Sequence, residues 1–353
     1  MKLKKLLGVA PILIWGPPGI GKSASILALG RQLGIPVEIV LASIREPTDF
    51  SGLPILTGEG VRFEAPAWAK RLATVGKGIL FLDEISTAAP AVQAALLRVV
   101  LDRTVGDLEL PRGVHIVAAA NPPELAAGGW DLAPPLANRF IHLKYEVSPG
   151  EWSQEFPSYW GNPPEVGLDP EIWARARALV AGFIRARPHL LLQIPKEGSQ
   201  QGLAWPSPRS WDMASRVLAA FALDLDDAIE VIQGAVGEGA GLEFYAWARE
   251  ADLPDPEEVL ASPGKVKIPE RGDLLFALLS GVVAAVVGRP TEERWEAGWE
   301  VLARAAGHAP DIVASVSPPL VAFIREGKFG LPRSFPGLLS VLGPVLKAAE
   351  GGR

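Results

Sequence analysis

From residue 11 to about residue 147, short apolar runs alternate with stretches of helical spacing. Ile12–Trp15, Val37–Leu41, Ile79–Leu82, His115–Ala119 and Ile141–Lys144 are compact and apolar, as strands buried on both faces are. Between them, Ser23–Leu33 and Ala88–Leu101 carry apolar residues at the period of a helix, the pattern of crossovers joining parallel strands. Two segments interrupt this alternation. Leu53–Phe63 sets Gly58-Glu59-Gly60 between β-like flanks and predicts a hairpin. Thr104–Leu110, with Gly106-Asp107, predicts a second hairpin just before the fourth strand. The whole predicts an α/β domain over residues 1–147.

Beyond residue 147 the pattern changes. Residues 148–170 are rich in Pro, Gly, Trp and acidic residues and predict a linker with anchored aromatics. The rest has helical spacing throughout: Glu171–Arg187, Ser210–Ala222, Leu225–Val236, Gly241–Glu250, Gly272–Val287, Thr291–Ala306 and Ala309–Arg325. We divide it into a helical lid (171–240) and a helical C-terminal extension (241–353). Trp295 and Trp299, four residues apart, predict a packing stripe. Leu274–Val287 is too short for a bilayer span of about 20 residues and predicts a buried helix. Met1–Leu7 is basic and then apolar, yet Val9–Trp15 runs straight into a glycine-rich loop without a small-residue cleavage site. No targeting or membrane segment is expected, and the expected compartment is the cytoplasm.

Composition narrows the chemistry. The 353 residues are 48% hydrophobic and 21% charged, a globular balance. The absence of cysteine removes disulfides, thiolate zinc sites and cysteine nucleophiles together. A formal net charge of −6 argues against a dedicated nucleic-acid binder, which carries a basic excess. The four histidines are scattered and predict no histidine metal cluster.

Gly16-Pro17-Pro18-Gly19-Ile20-Gly21-Lys22-Ser23 satisfies G-x-x-x-x-G-K-[ST] between a predicted strand and a predicted helix. Glycines let successive backbone N–H groups curl toward phosphate oxygens at a helix N-terminus. Lys22 would place a point charge on the β- and γ-phosphates of ATP, and the Ser23 hydroxyl would ligate Mg²⁺. Further on, the apolar strand Ile79–Leu82 ends in Asp83-Glu84. The carboxyl end of such a strand faces the ligand crevice of an open sheet. Asp83 would sit near Mg²⁺, and Glu84 could polarise an attacking water as a general base. A kinase needs no such base, because its acceptor supplies the nucleophile, so Glu84 favours hydrolysis over transfer.

Strand His115–Ala119 runs into Ala120-Asn121-Pro122, and Leu136-Ala137-Asn138-Arg139-Phe140 follows. In that order these motifs resemble the MoxR-like AAA+ ATPases and, within or near them, the dynein-related group. The resemblance covers about residues 11–220 and touches Ile44–Pro54. It implies an AAA+ P-loop three-layer sandwich with a parallel sheet, followed by an α-helical lid. It further implies that Asn121 is sensor 1, that Arg139 is a finger reaching the γ-phosphate of a neighbouring subunit, and that Arg209, in Ser207-Pro208-Arg209-Ser210-Trp211, is sensor 2. A homo-oligomeric ring, expected as a hexamer, follows from the same likeness. So does a chaperone-like remodelling role with a partner protein bearing a von Willebrand factor A domain. Only 15 residues precede the phosphate loop, where many AAA+ proteins carry an extra segment against adenine, so the adenine pocket stays unassigned. The two hairpins occupy places where MoxR-like proteins carry insertions facing the ring axis; substrate engagement and passive packing both fit them.

Two other functions stay open at this level. A nucleotide-gated scaffold with little turnover has no need of Glu84 or Arg139, and a nucleic-acid-dependent motor fits poorly with the acidic balance. The leading reading makes one geometric demand: Lys22, Asp83 and Asn121 must meet at one end of the sheet.

Overall fold

A computed structural model describes residues 2–58, 60–125, 130–158, 167–195 and 202–343. Glu59 of the predicted hairpin, residues 159–166 of the predicted linker, 196–201 of the predicted lid and 344–353 of the extension lie outside them. The chain forms two compact units, Met1–Glu146 and Val147–Arg353.

In the first unit the five predicted strands build one parallel sheet. They are β1 (Ile12–Trp15), β2 (Val37–Leu41), β5 (Lys77–Asp83), β8 (Gly113–Ala120) and β9 (Ile141–Lys144). Their order across the sheet is β2-β5-β8-β1-β9. Alternate residues feed two different cores, because successive side chains leave a strand on opposite faces. Ile12, Ile14, Ile79, Phe81, Val117 and Ala119 pack with Ile26 and Leu29 of the helix Lys22–Leu33. Leu13, Leu80, Leu82, Ile116 and Ala118 pack on the other face with Phe50, Trp68 and Leu96. These come from Thr48–Ser51, Ala67–Val75 and Pro90–Asp102 respectively. Helices on both faces of a parallel sheet make the α/β domain that the apolar runs predict, and the three-layer sandwich that the resemblance implies.

Both hairpins form. β3 (Leu53–Thr57) pairs antiparallel with β4 (Gly60–Glu64), and β6 (Thr104–Val105) with β7 (Leu108–Glu109). They are also joined. The Asp107 N–H donates to the Phe63 carbonyl (2.9 Å), and the Phe63 N–H donates to the Asp107 carboxylate (2.8 Å). Among the described residues of this unit, four helices went unpredicted: Lys2–Leu6, Thr48–Ser51, Ala67–Val75 and Pro134–Ala137. Lys2–Leu6, Thr48–Ser51 and Pro134–Ala137 are too short to show a period, and Ala67–Val75 carries three small alanines and a threonine that blur its apolar face.

The second unit is helical and shares one hydrophobic core from Trp152 to Leu342. Gly272–Gly288 is buried along most of its length and packs mainly on Pro170–Ala186. Part of the predicted linker is itself a helix, Pro149–Glu155, capped by the Ser148 hydroxyl. The single helix predicted over Ala309–Arg325 is two, Pro310–Val316 and Pro318–Arg325. Pro318 has no N–H to continue the ladder, and its ring opposes the preceding turn. Trp295 and Trp299 are buried and meet edge-to-face with ring centres 5.6 Å apart, the packing stripe that their spacing predicts. Among the described residues, no helix is long and apolar enough to cross a membrane.

Candidate functional site

The sheet's register decides what can meet at its carboxyl edge. Trp15 is level with Ala120, and Leu82 with Ala118. The residues at or just beyond each strand's end, Gly16, Asn121 and Asp83-Glu84, therefore emerge side by side. β8 lies between β1 and β5, which sets Asn121 between the glycine-rich loop and the two carboxylates.

The loop from Gly16 to Gly21 is held by shape. The Gly16 N–H donates to the Ala120 carbonyl at 3.2 Å. A methyl group at Gly16 would meet Ile20 Cδ1 at 2.5 Å and the Tyr145 carbonyl at 3.0 Å, so a larger residue would have to displace the Ile20 side chain and crowd that carbonyl. Gly21 caps the helix Lys22–Leu33 at φ 94, a left-handed conformation that side chains resist. Pro17 and Pro18 carry no N–H, so the amides left to the loop as possible donors are those of Gly19, Ile20, Gly21, Lys22 and Ser23.

Lys22 is 8% exposed. Its Nζ donates to the carbonyls of Gly16 (2.7 Å) and Pro17 (2.9 Å) and to Asn121 Oδ1 (2.9 Å). The Ser23 hydroxyl donates to Asp83 Oδ2 at 2.6 Å. Lys22, Ser23, Asp83 and Asn121 thus share one locus, which meets the geometric demand stated above. A hydroxyl and a carboxylate oxygen in contact beside a phosphate-shaped loop fit Mg²⁺, which prefers oxygen donors and takes few of them from protein.

Glu84 leaves the strand by a sharp turn. Its backbone is left-handed, φ 56 and ψ 38. Its N–H donates to Asp83 Oδ1 (3.0 Å), and its carbonyl accepts from the Thr87 N–H (3.1 Å) and hydroxyl (2.9 Å). The turned-out side chain is exposed, and its Oε2 accepts from the Ser43 hydroxyl at 2.6 Å. Ser43 follows β2, the strand beside β5. Sequence reading passed over it, because a serine 41 residues away in the chain carries no local signal; only the β2–β5 register, with Leu41 level with Asp83, brings it there.

Both candidate arginines are exposed. Arg139 follows the short helix Pro134–Ala137 and is exposed. Arg209 lies in the second unit, exposed in the first turn of Pro208–Ala220, whose cap is reciprocal: Ser207 N–H donates to Ser210 Oγ (2.7 Å) and Ser210 N–H to Ser207 Oγ (3.1 Å). Within the first unit, therefore, the loop, the carboxylates and Asn121 converge, whereas Arg139 faces solvent.

Comparison with known proteins agrees with this geometry. Residues 11–140 match the family described as AAA domain (dynein-related subfamily). The human ATPase family gene 2 protein homolog B is 34% identical over 123 residues, which is 32% of this chain and 15% of that protein. The Holliday junction branch migration complex subunit RuvB of Prochlorococcus marinus is 27% identical over 142 residues, 36% of this chain and 33% of that one. The chain thus spans well under two thirds of either relative's length. A solved structure of a Thermotoga maritima RuvB mutant aligns at 17% identity with a TM-score of 0.36, over 81% of this chain and 79% of that one. Residues 11–140, with their glycine-rich loop and strand-tip carboxylates, are an AAA domain of the dynein-related subfamily.

Proposed function

We propose that the chain is a MoxR-like, Mg²⁺-dependent ATPase that works in the cytoplasm as a homo-oligomeric ring, a hexamer, and remodels or activates a partner protein. The observation that carries this reading is the meeting of Lys22, Ser23, Asp83 and Asn121 at one point of the sheet edge, with Glu84 turned out beside them. The loop amides and Lys22 would bind the β- and γ-phosphates of ATP. Ser23 and Asp83 would hold Mg²⁺, which neutralises charge on the phosphate oxygens. Glu84 would accept a proton from water as the water oxygen bonds to the γ-phosphorus and the bond to the β–γ bridging oxygen breaks. Asn121, whose Oδ1 already accepts from Lys22, would offer its amide N–H₂ to the γ-phosphate or to that water.

Arg139 would complete the site of a neighbouring copy. Its exposure supports this role, since charge spread over a transferring phosphoryl group needs cations from outside the loop. Arg209 carries a positive charge into the first turn of a helix, where the dipole disfavours it; a nearby phosphate would repay that cost. A partner carrying a von Willebrand factor A domain fits the same family likeness, and the joined hairpins, with Leu56 86% and Val61 57% exposed, supply an apolar surface for contact.

The test is ATP turnover with Mg²⁺ measured against protein concentration, alongside Glu84→Gln and Arg139→Ala. Turnover per chain should rise as the protein assembles; Glu84→Gln should bind ATP and assemble without turning over. Turnover independent of concentration and indifferent to Arg139→Ala would sink the trans-acting role. ATP-driven assembly with no turnover at any concentration would instead make the chain a scaffold.

A further inference from the structure

Two polar side chains in the first unit touch none of the residues assigned to nucleotide, yet both are spent on backbone groups around Arg139. Gln93, on the helix Pro90–Asp102, is 2% exposed. Its Nε2 donates to the carbonyls of Ala88 (2.9 Å) and Asp131 (3.3 Å), and its Oε1 accepts from the Ala133 N–H (2.7 Å). His142, on β9, accepts at Nδ1 from the Trp15 indole N–H (2.9 Å) and donates from Nε2 to the Ala137 carbonyl (2.9 Å). An indole N–H can only donate, so in this arrangement Nδ1 is the acceptor and Nε2 the donor.

The four-residue helix Pro134–Ala137 lies between these two clamps, and Arg139 leaves it in the next turn through its N–H to the Leu136 carbonyl (3.1 Å). Leu136 is buried at 1% exposure and plugs the segment from below. The chain carrying Arg139 is therefore pinned at its entry by Gln93, in its middle by Leu136 and at its exit by His142. The far ends of both clamps lie in the chain's own nucleotide loops: Ala88 is four residues beyond Glu84, and Trp15 immediately precedes Gly16. An exposed arginine on a free loop would sample many directions, whereas transfer chemistry rewards one; a misplacement of about 1 Å can cost about 100-fold in rate.

We propose that Gln93 and His142 are positioning residues that set the direction in which Arg139 is presented, referenced to the subunit's own phosphate loop and Glu84 turn. The proposal rests on the reading of Arg139 as a finger acting on a neighbouring copy. It assigns these two residues an effect on the neighbour's turnover and none on ATP binding at their own site.

Subunit mixing tests this. Gln93→Met and His142→Phe keep volume and lose the hydrogen bonds. Each variant alone should lose about 10- to 100-fold in turnover at assembling concentrations, with ATP affinity within about twofold of the parent, the scale of ordinary experimental scatter. Each is then mixed with an excess of Glu84→Gln, which cannot hydrolyse but supplies an intact arginine to its neighbour. Turnover per variant chain should recover several-fold, as it should for Arg139→Ala mixed in the same way. Recovery for Arg139→Ala but for neither positioning variant would overturn the proposal and leave the trans finger standing. Absence of recovery for Arg139→Ala would overturn the finger and the proposal with it. Should Gln93→Met fail to fold by circular dichroism, His142→Phe decides alone.

Discussion

The edge of the sheet in the first unit and the aromatic core of the second are stabilised in opposite ways. At the sheet edge, Lys22, Ser23, Asp83 and Glu84 are held by directional hydrogen bonds at 2.6–2.9 Å. In the second unit, Phe183 lies 5.3 Å from both Trp211 and Phe244 and 5.8 Å from Trp247, a cluster held by area and shape. Its directional ties include the Trp211 indole N–H to the Leu190 carbonyl (2.7 Å) and the Trp247 indole N–H to the Asp273 carboxylate (2.8 Å). Polar geometry confers chemistry at little gain in stability, since a net hydrogen bond is worth about 1 kcal/mol. Aromatic burial confers stability and fixes no reacting atom.

Substitutions can break that contrast, and the largest expected effect comes first. Glu84→Gln should lower turnover about 10²- to 10⁴-fold, the usual worth of a positioned general base, and leave the melting curve where it was. A comparable loss of stability would mean that the sheet edge is structural after all. Trp211→Ala should cost about 3–5 kcal/mol of stability, the range for deleting a large buried aromatic. Chemical denaturation followed by tryptophan fluorescence and far-ultraviolet circular dichroism reads this directly; a shift under 1 kcal/mol would show that the cluster is loosely packed. Ser43→Ala is smaller. It frees the Glu84 carboxylate from a bond worth about 1 kcal/mol and should change turnover by no more than about tenfold, with stability unmoved.

The smallest effect lies in pH, where the two units carry opposite signs. Burial, with help from the Arg103 charge, holds His115 below its ordinary value of 6.5. As pH falls through that value the unfolded chain takes up a proton before the folded one does, so the first unit loses stability on mild acidification. His115→Gln should flatten the decline in melting temperature between about pH 7 and pH 5, measured against the parent. Asp212, beside Arg216 at 2.7 Å, is pushed up by burial despite that cation. Its contribution is full in acid and is lost as pH rises through the raised value. An Asp212→Asn variant should therefore narrow the difference in the upper acid range, and a change of the same sign as His115→Gln would contradict these environments.

The same contrast explains what was legible in the chain. The phosphate loop, Asp83-Glu84 and Asn121 could be read because backbone curl, strand tips and metal chemistry demand particular residues at short spacings. The five strands were readable because burial on both faces makes uninterrupted apolar runs. Ser43, Gln93 and His142 were not, since each has at least one partner 38 or more residues away that only the fold brings near. In the second unit, helix period gave the longer elements but not their ends, and it missed the short helices Pro149–Glu155 and Pro256–Ala261. Pro149–Glu155 sits in a Pro- and Trp-rich stretch that resembles a loop, and Pro318 divides a pattern whose apolar spacing runs on unbroken.

The left-handed turn at Glu84 has a further consequence. That backbone region costs a side-chain-bearing residue about 1–2 kcal/mol and glycine almost nothing. Judged by folding alone, glycine would be the natural occupant of position 84. The carboxylate persists there against the preference of its own main chain, so an inert chain relieved of it should survive heat at least as well as the active one.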